Sequence, residues 1–482
     1  MFDQPTAVSS LLRRPDALLL TVLVIARIRI DTLAEAAVLP LRLNDVARQP
    51  WLGHLLPPEA MRLLAQQQLV DPIGLLLIVG AIGGLLIYLL VDEFLRNERV
   101  CYWLKLALIW VIILLTVFGP SLKLVLLRQG SGPASYSHDG GVIQTEAAID
   151  FVLQGRNPYV ENYLSTPMAE WGIGEFRTAL YHYPYLPWTF LFSMPFRLFS
   201  TAVLGWYDQR FVYLLLFVMT LLLLPGLARG RLARLLLVML IGLNPIMGSD
   251  LIYGQNDSFV VAWIVLSLWS WFRWRYRGSG RGWLWASAAV FGLACASKPT
   301  AWFLAPFYLL LIAGGDPADL WHRPLAWGVR AWRAAWPALA VAILVIAPYF
   351  VWNPGAMVDD VWRWSNGTSD TSYQIWGWGA SNLVLALGWV RSRFDYWPFW
   401  LPQLVVSLPL LLAFIGRQAR ENTPGRAFWS YGLFLLVFFF FSRFLNENYL
   451  GYILACLVIG ALAEVQTPVV VASDLAVRRI DK

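Results

Sequence analysis

Residues 72–91 read PIGLLLIVGAIGGLLIYLLV, a run of 20 positions without a charge. A helix needs about 20 apolar residues at about 1.5 Å each to cross a hydrocarbon core of roughly 30 Å, so this stretch reads as a membrane crossing. The same signature recurs at 101–120, 208–228, 232–250, 258–273, 336–352, 398–416, 427–443 and 449–465. Composition agrees with it, since 58% of the 482 residues are hydrophobic and only 14% are charged. An ordinary soluble domain carries about 25% charged residues. The fold class expected is therefore an all-α polytopic membrane protein with about 12 transmembrane helices.

Two regions need separate argument. The apolar stretch 283–314 is too long for one crossing, and Lys298-Pro299 lies near its middle. Proline breaks a helix and lysine seeks water, so two short crossings meeting at a polar turn are expected. The weakest candidate, 16–38, is interrupted by Arg27, Arg29, Asp31 and Glu35. It is included because a crossing there brings the orientation of every later span into agreement. No signal peptide is read after Arg13 and Arg14, because no small-residue cleavage pattern follows.

Lysines and arginines number 20 in the segments this topology assigns to the cytoplasm and 13 in much longer segments on the other side. The positive-inside bias then places both termini in the cytoplasm. Counting the apolar run Leu186 to Phe199 as a crossing would put Arg229, Arg231 and Arg234 outside, so it is expected to lie flat at the interface. The division expected is an extra transmembrane hairpin region at 1–100, one transmembrane domain at 101–465 and a cytoplasmic tail at 466–482. The net charge of +7 comes from scattered arginines, which excludes a nucleic-acid surface. Cys101, Cys295 and Cys456 are far apart in apolar segments and read as buried apolar residues, not as disulfides or a zinc site.

Polar residues gather on the outer face, in loops 121–207 and 353–397 and in three short turns, and ionisable groups in such places are functional candidates. The first loop holds His138-Asp139-Gly140-Gly141, with Glu146 and Asp150 following at i, i+4 spacing. Asp139 suits an N-cap. It equally suits proton abstraction from a hydroxyl, where a carboxylate base is needed in a partly dehydrated place. Tyr181 and His182 follow in an aromatic stretch that fits a membrane belt, although imidazole also binds phosphate or shares a proton with a carboxylate. Gln255, Asn256 and Asp257 form a turn, or a rim of amide and carboxylate groups for sugar hydroxyls. Lys298, between two apolar half-helices, needs an anion, an aqueous cleft or a structural carboxylate. Arg443 and Glu447 stand at i, i+4, as a salt bridge or as further site groups. The Asp359-Asp360 doublet reads as a solvated face. Metal ligation is not expected, because one acid plus amides is a thin metal site.

Taken in order, five short motifs resemble the GT-C glycosyltransferases, integral membrane enzymes that take a sugar from a polyprenyl-phosphate carrier. They are Asp139 early in the first outer loop, the stop Gly155-Arg156-Asn157-Pro158-Tyr159, Tyr183-Pro184-Tyr185-Leu186-Pro187 before an interfacial helix, Gly254-Gln255-Asn256-Asp257, and Lys298-Pro299. The α-1,2-mannosyltransferase branch is the most similar, over about residues 100–465. The resemblance departs at the hairpin before residue 100 and at the last outer turn, where Asn446 to Asn448 stand in place of a family histidine.

The resemblance implies juxtamembrane helices in the first outer loop roofing the site, and an inverting transfer of a sugar, mannose favoured, to a lipid or glycan acceptor. It further implies Asp139 as the catalytic base, with Lys298, Arg443 and His182 on the donor phosphate. Gln255, Asn256, Asp257, Tyr181, Glu146, Asp150 and Glu447 are then sugar- or acceptor-binding. No cofactor is implied, with divalent metal left open, and the other partners are membrane lipids. The setting expected is a prokaryotic plasma membrane with the site on its outer face. The competing reading is a secondary transporter or a lipid flippase. A transporter predicts an inverted repeat with paired broken helices; one broken element, around Lys298, is seen without a partner.

Overall fold

Helices begin where the sequence places a cap and a proline. Asp71 accepts from the N–H of Ile73 ahead of Pro72–Phe94, and Asn244 accepts from Ile246 and Met247 ahead of Pro245–Tyr253. Each cap satisfies N–H groups that have no partner within the helix. The computed structural model describes residues 14–36, 39–68, 71–171, 174–278, 280–314, 316 and 319–463, so the expected tail at 466–482 lies outside the described residues. Among them every element is helical except a two-residue parallel bridge, pairing Trp376 with Phe444 and Gly377 with Leu445.

Among the described residues five helices are long and apolar enough to cross a membrane: Pro72–Phe94, Glu98–Ser131, Arg210–Leu227, Pro324–Trp352 and Trp400–Arg420. Arg231–Gly242 and Pro245–Tyr253, bent by 46°, make a sixth if they form one broken span. The count of 12 is not reached by this measure, for a physical reason. Gly282–Cys295, Pro299–Ala313, Pro424–Phe440 and Glu447–Leu462 are apolar but have only 10–17 residues, about 15–25 Å of helix against a core of about 30 Å. Pro15–Ala36 is long enough but carries Asp16, Arg27, Arg29, Asp31 and Glu35.

The expected break at Lys298 is present. Lys298 is extended, at φ −157° and ψ 138°, between Gly282–Cys295 and the 3-10 turn Pro299–Leu304. Glycines let neighbouring helices approach closely: a Cβ on Gly292 would run into the Ala338 carbonyl, and one on Gly460 into the Trp429 backbone. The helix expected at the interface forms over Trp188–Leu204, five residues longer at its end than the apolar run suggested. It buries Thr189, Phe190, Ser193 and Ser200 and leaves Leu198, Phe199, Val203 and Leu204 exposed.

The hydrophobic core runs without interruption across residue 100, joining Leu20, Val24 and Tyr88 to Ile109 and Ile113. Charges inside this packing are paired. Lys105 donates to Asp16 at 2.6 Å and also to Asp92. Arg27 is fully buried and donates to the carbonyls of Pro245 and Thr116 and to Ser249 Oγ. The first helix is thus fastened to the back of Pro245–Tyr253, whose far end leads into the Gly254-Gln255-Asn256-Asp257 turn.

Candidate active site

The loop that carries His138 and Asp139 is locked onto that turn by its glycines. The backbone N–H of His138 donates to the Tyr253 carbonyl at 2.6 Å. A Cβ on Gly141 would collide with the Gly254 carbonyl, and one on Gly140 with the Tyr185 hydroxyl. Gly254 itself has φ 87°, a left-handed conformation that glycine adopts at no steric cost. Arg210, fully buried, donates to the Tyr136 carbonyl at 2.7 Å and to Ile252 at 3.0 Å, and is charge-balanced by Asp208. Tyr136 has φ 54°, and its hydroxyl donates to Asp45 of the N-terminal region.

Asp139 opens a π-helical turn, Asp139–Ile143, and the N-cap position belongs to His138. The Asp139 carboxylate is therefore not spent as a cap. It lies 2.6 Å from His138 Nδ1, with side-chain exposures of 15% and 34%. The two atoms are close without the alignment of a hydrogen bond, and Asp139 Oδ1 has no hydrogen-bond partner among the described residues. Burial works to raise the Asp139 pKa, but the His138 charge and the Gly140 N–H outweigh it and hold the carboxyl below its usual range. Burial works against His138 in turn, and Asp139, Asp257 and Glu447 raise its pKa overall. Each group thus favours the charged form of the other.

Facing it is a second cluster. Lys298 Nζ donates to Asp257 at 2.6 Å and to Asn256 at 3.4 Å, and stands 5.7 Å from the Tyr185 ring centre and 5.0 Å from that of Tyr449. Asn448 donates to the other oxygen of Asp257. Tyr185 joins the two clusters, with its hydroxyl against Gly140 and its ring beneath Lys298. Among the described residues Asp139 Oδ1, Asp250 Oδ2, Gln255 Oε1 and Asn446 Oδ1 are buried without a hydrogen-bond partner. Buried polar atoms are nearly always satisfied; unpaired acceptors suit a ligand rich in hydroxyl groups.

Other residues singled out in the sequence lie elsewhere. His182 Nδ1 is 2.8 Å from Asp360, and its Nε2 is 2.6 Å from the Thr371 hydroxyl, so both nitrogens tie the first outer loop to the second. Asp360 is 2% exposed and accepts from the Tyr183 N–H, which corrects the expectation of a solvated doublet. Burial pushes its pKa up to about 6 against the bonds from His182 and Tyr183. His182, Asp359 and Asp360 are close enough together to hold a metal ion, a grouping that the doublet's ordinary sequence context did not reveal.

Arg443 does not pair with Glu447. Its guanidinium donates to the carbonyls of Tyr373, Arg393, Phe394 and Asp395, and burial lowers its pKa to about 10. It organises the second outer loop. Glu146 is held by Arg128 and accepts from the Gln209 N–H, Asp150 is held by Arg197, and Tyr181 is 46% exposed. Glu447, exposed, is within electrostatic reach of His138.

Residues 151–314 match the MptA_B family model, described as Alpha-(1->6)-mannopyranosyltransferase, N-terminal domain. Over those residues the match agrees with the expected likeness to a glycosyltransferase. The mannosyltransferase match takes in Gln255, Asn256, Asp257, Lys298 and His182, while Asp139 and Arg443 fall outside it. No curated protein matches the chain significantly. Among solved structures the chain is similar to the crystal structure of ArnT from Cupriavidus metallidurans bound to undecaprenyl phosphate. Identity is 18%, the TM-score is 0.42, and the match covers 68% of this chain. It covers 55% of ArnT, so the chain spans about half the length of that structure.

Proposed function

We propose that this protein is an inverting glycosyltransferase of the membrane. It would move a sugar, mannose favoured, from a polyprenyl-phosphate donor to a hydroxyl of a lipid or glycan acceptor at the outer face of a prokaryotic plasma membrane. The observation that carries this reading is that Tyr185 bridges the His138-Asp139-Gly140 turn to the Asn256, Asp257 and Lys298 cluster. That cluster lies in the stretch matching a mannosyltransferase family. The family named is α-(1→6), whereas the short motifs resemble the α-1,2 branch most, so the linkage is part of the test.

In the proposed reaction Asp139 takes the proton from the acceptor hydroxyl as its oxygen attacks the anomeric carbon. The bond from that carbon to the phosphate oxygen breaks, its electron pair leaves on the phosphate, and the configuration inverts. Lys298 has three N–H donors, two of them facing Asp257 and Asn256. The third is available to the departing phosphate, where positive charge counts most as negative charge develops. Unpaired acceptors on Gln255 and Asn446 would receive sugar hydroxyls. The scheme needs no cofactor, and chelation in the same assay tests dependence on a divalent ion.

The experiment is transfer from a radiolabelled polyprenyl-phosphate mannose by the purified full-length protein. Asp139→Asn should lower turnover by about 10²–10⁴-fold, the usual cost of losing a general base, while donor binding persists. Near-normal transfer by Asp139→Asn, with loss in Glu146→Gln, would move the base. Solute uptake into proteoliposomes without sugar transfer would replace the enzyme with a transporter.

A further inference from the structure

A cleft of about 480 Å³ lies along the helix Gln144–Leu153, walled by Arg128, Glu146, Asp150, Arg156, Arg197 and Tyr207. Its volume falls in the range of roughly 300–1,000 Å³ common to small-ligand sites. Ile143, the last residue of the π turn that Asp139 opens, also lines it. The cleft therefore begins one helical turn from the candidate base and extends away from it.

Its chemistry narrows the occupant. Arg128 is paired with Glu146 at 2.7 Å and with Asp208 at 2.9 Å, Arg197 with Asp150 at 2.6 Å, and Arg156 with Glu161. Every arginine in the wall thus has a carboxylate beside it, and the cleft offers no excess positive charge to a phosphate. Guanidinium and carboxylate groups also line it too densely for an isoprenoid chain, whose burial would gain nothing against desolvated charges. Ion-paired arginine and carboxylate edges set donors next to acceptors, which is the complement of neighbouring sugar hydroxyls. Gln154 and Thr166 add an amide and a hydroxyl, and Tyr207 and Phe151 add aromatic faces.

We propose that this cleft binds the neutral carbohydrate portion of the acceptor, the sugar units behind the hydroxyl that reacts. The proposal rests on the glycosyltransferase reading above. It gives the acceptor a class, a glycan with at least two neutral sugars. Because the cleft holds parts of the acceptor remote from the reacting atoms, it contributes to binding and not to the chemical step.

The test uses the full-length protein in detergent, with linear α-linked mannotriose as probe, followed by saturation-transfer NMR and calorimetry. Arg197→Ala frees Asp150 from its partner, and Gln154→Trp fills the rim from an exposed position, so at least one variant should keep its fold. Both should weaken mannotriose binding by at least about tenfold and raise acceptor KM by a similar factor, with kcat nearly unchanged, the pattern of lost uniform binding. Unaltered binding and KM in folded variants of an active enzyme would overturn the cleft, as would failure of the wild-type protein to bind mannotriose. If the wild type binds mannotriose through these residues yet transfers no sugar from any polyprenyl donor, the cleft stands and the proposed reaction falls.

Discussion

Replacing Lys298 by methionine would separate a structural ion pair from a functional cation. Asp257 is buried and receives Lys298 at 2.6 Å on one oxygen and Asn448 on the other. Removing the ammonium leaves a buried carboxylate with one amide partner. Breaking one side of a buried pair costs about 3–5 kcal/mol, and the two ring contacts with Tyr185 and Tyr449 add about 0.5–1 kcal/mol each. Lys298→Met alone should therefore be clearly destabilised, by about 4–7 kcal/mol on those sums. A second change, Asp257→Asn, removes the stranded charge. Replacing both members of a buried pair by neutral groups is often close to neutral, so the double variant should recover most of the thermal stability measured by dye-binding denaturation. Transfer of sugar should nevertheless stay lost, because no cation remains beside the leaving phosphate. A double variant that is stable and transfers sugar at near the wild-type rate would refute the catalytic role of Lys298 and leave it a structural partner of Asp257.

Three further outcomes are expected. If Asp139 is the base proposed above, it sets the acid limb of the rate profile, because its carboxyl must be ionised to act and is held below its usual range by His138. His138→Phe leaves burial as the main influence, so the limb should shift toward neutral pH; an unmoved limb in kcat/KM would assign it to another group. Gly141→Ala drives a Cβ into the Gly254 carbonyl, an overpacking that costs about 1–3 kcal/mol. It should reduce activity well before it reduces expression, whereas Gly130→Ala, with open space around it, should be silent in the same assay. Asp45→Ala removes the carboxylate that accepts from the Tyr136 and Ser131 hydroxyls, so hydrogen exchange at residues 132–138 should speed up and kcat fall, with Asp45→Asn restoring part of both.

Much of this architecture was legible because the bilayer imposes a simple length rule. Pro72–Phe94 and the break at Lys298 follow from an apolar run and from a proline beside a charge. The count of crossings was less legible, because helices of 10–17 residues have the right composition without the right length. At the site, the sequence marked residue types that seek partners but did not say which partners they find. Lys298 and Arg443 illustrate the difference. Both are cations in short outer turns, yet Lys298 reaches Asp257 and the face shared with Asp139, whereas Arg443 is spent on four carbonyls of the second loop. That loop is irregular and carries many backbone oxygens that helices would have satisfied, and one buried guanidinium with five donors is an economical way to hold them. Arg210 stands at the edge of an apolar run, and only its burial beside Asp208 shows that it is a structural partner. Its role is to clasp Tyr136 to Ile252. The position of Asp139 thus depends on glycines and an arginine more than 60 residues away, a long-range relation that no local motif expresses.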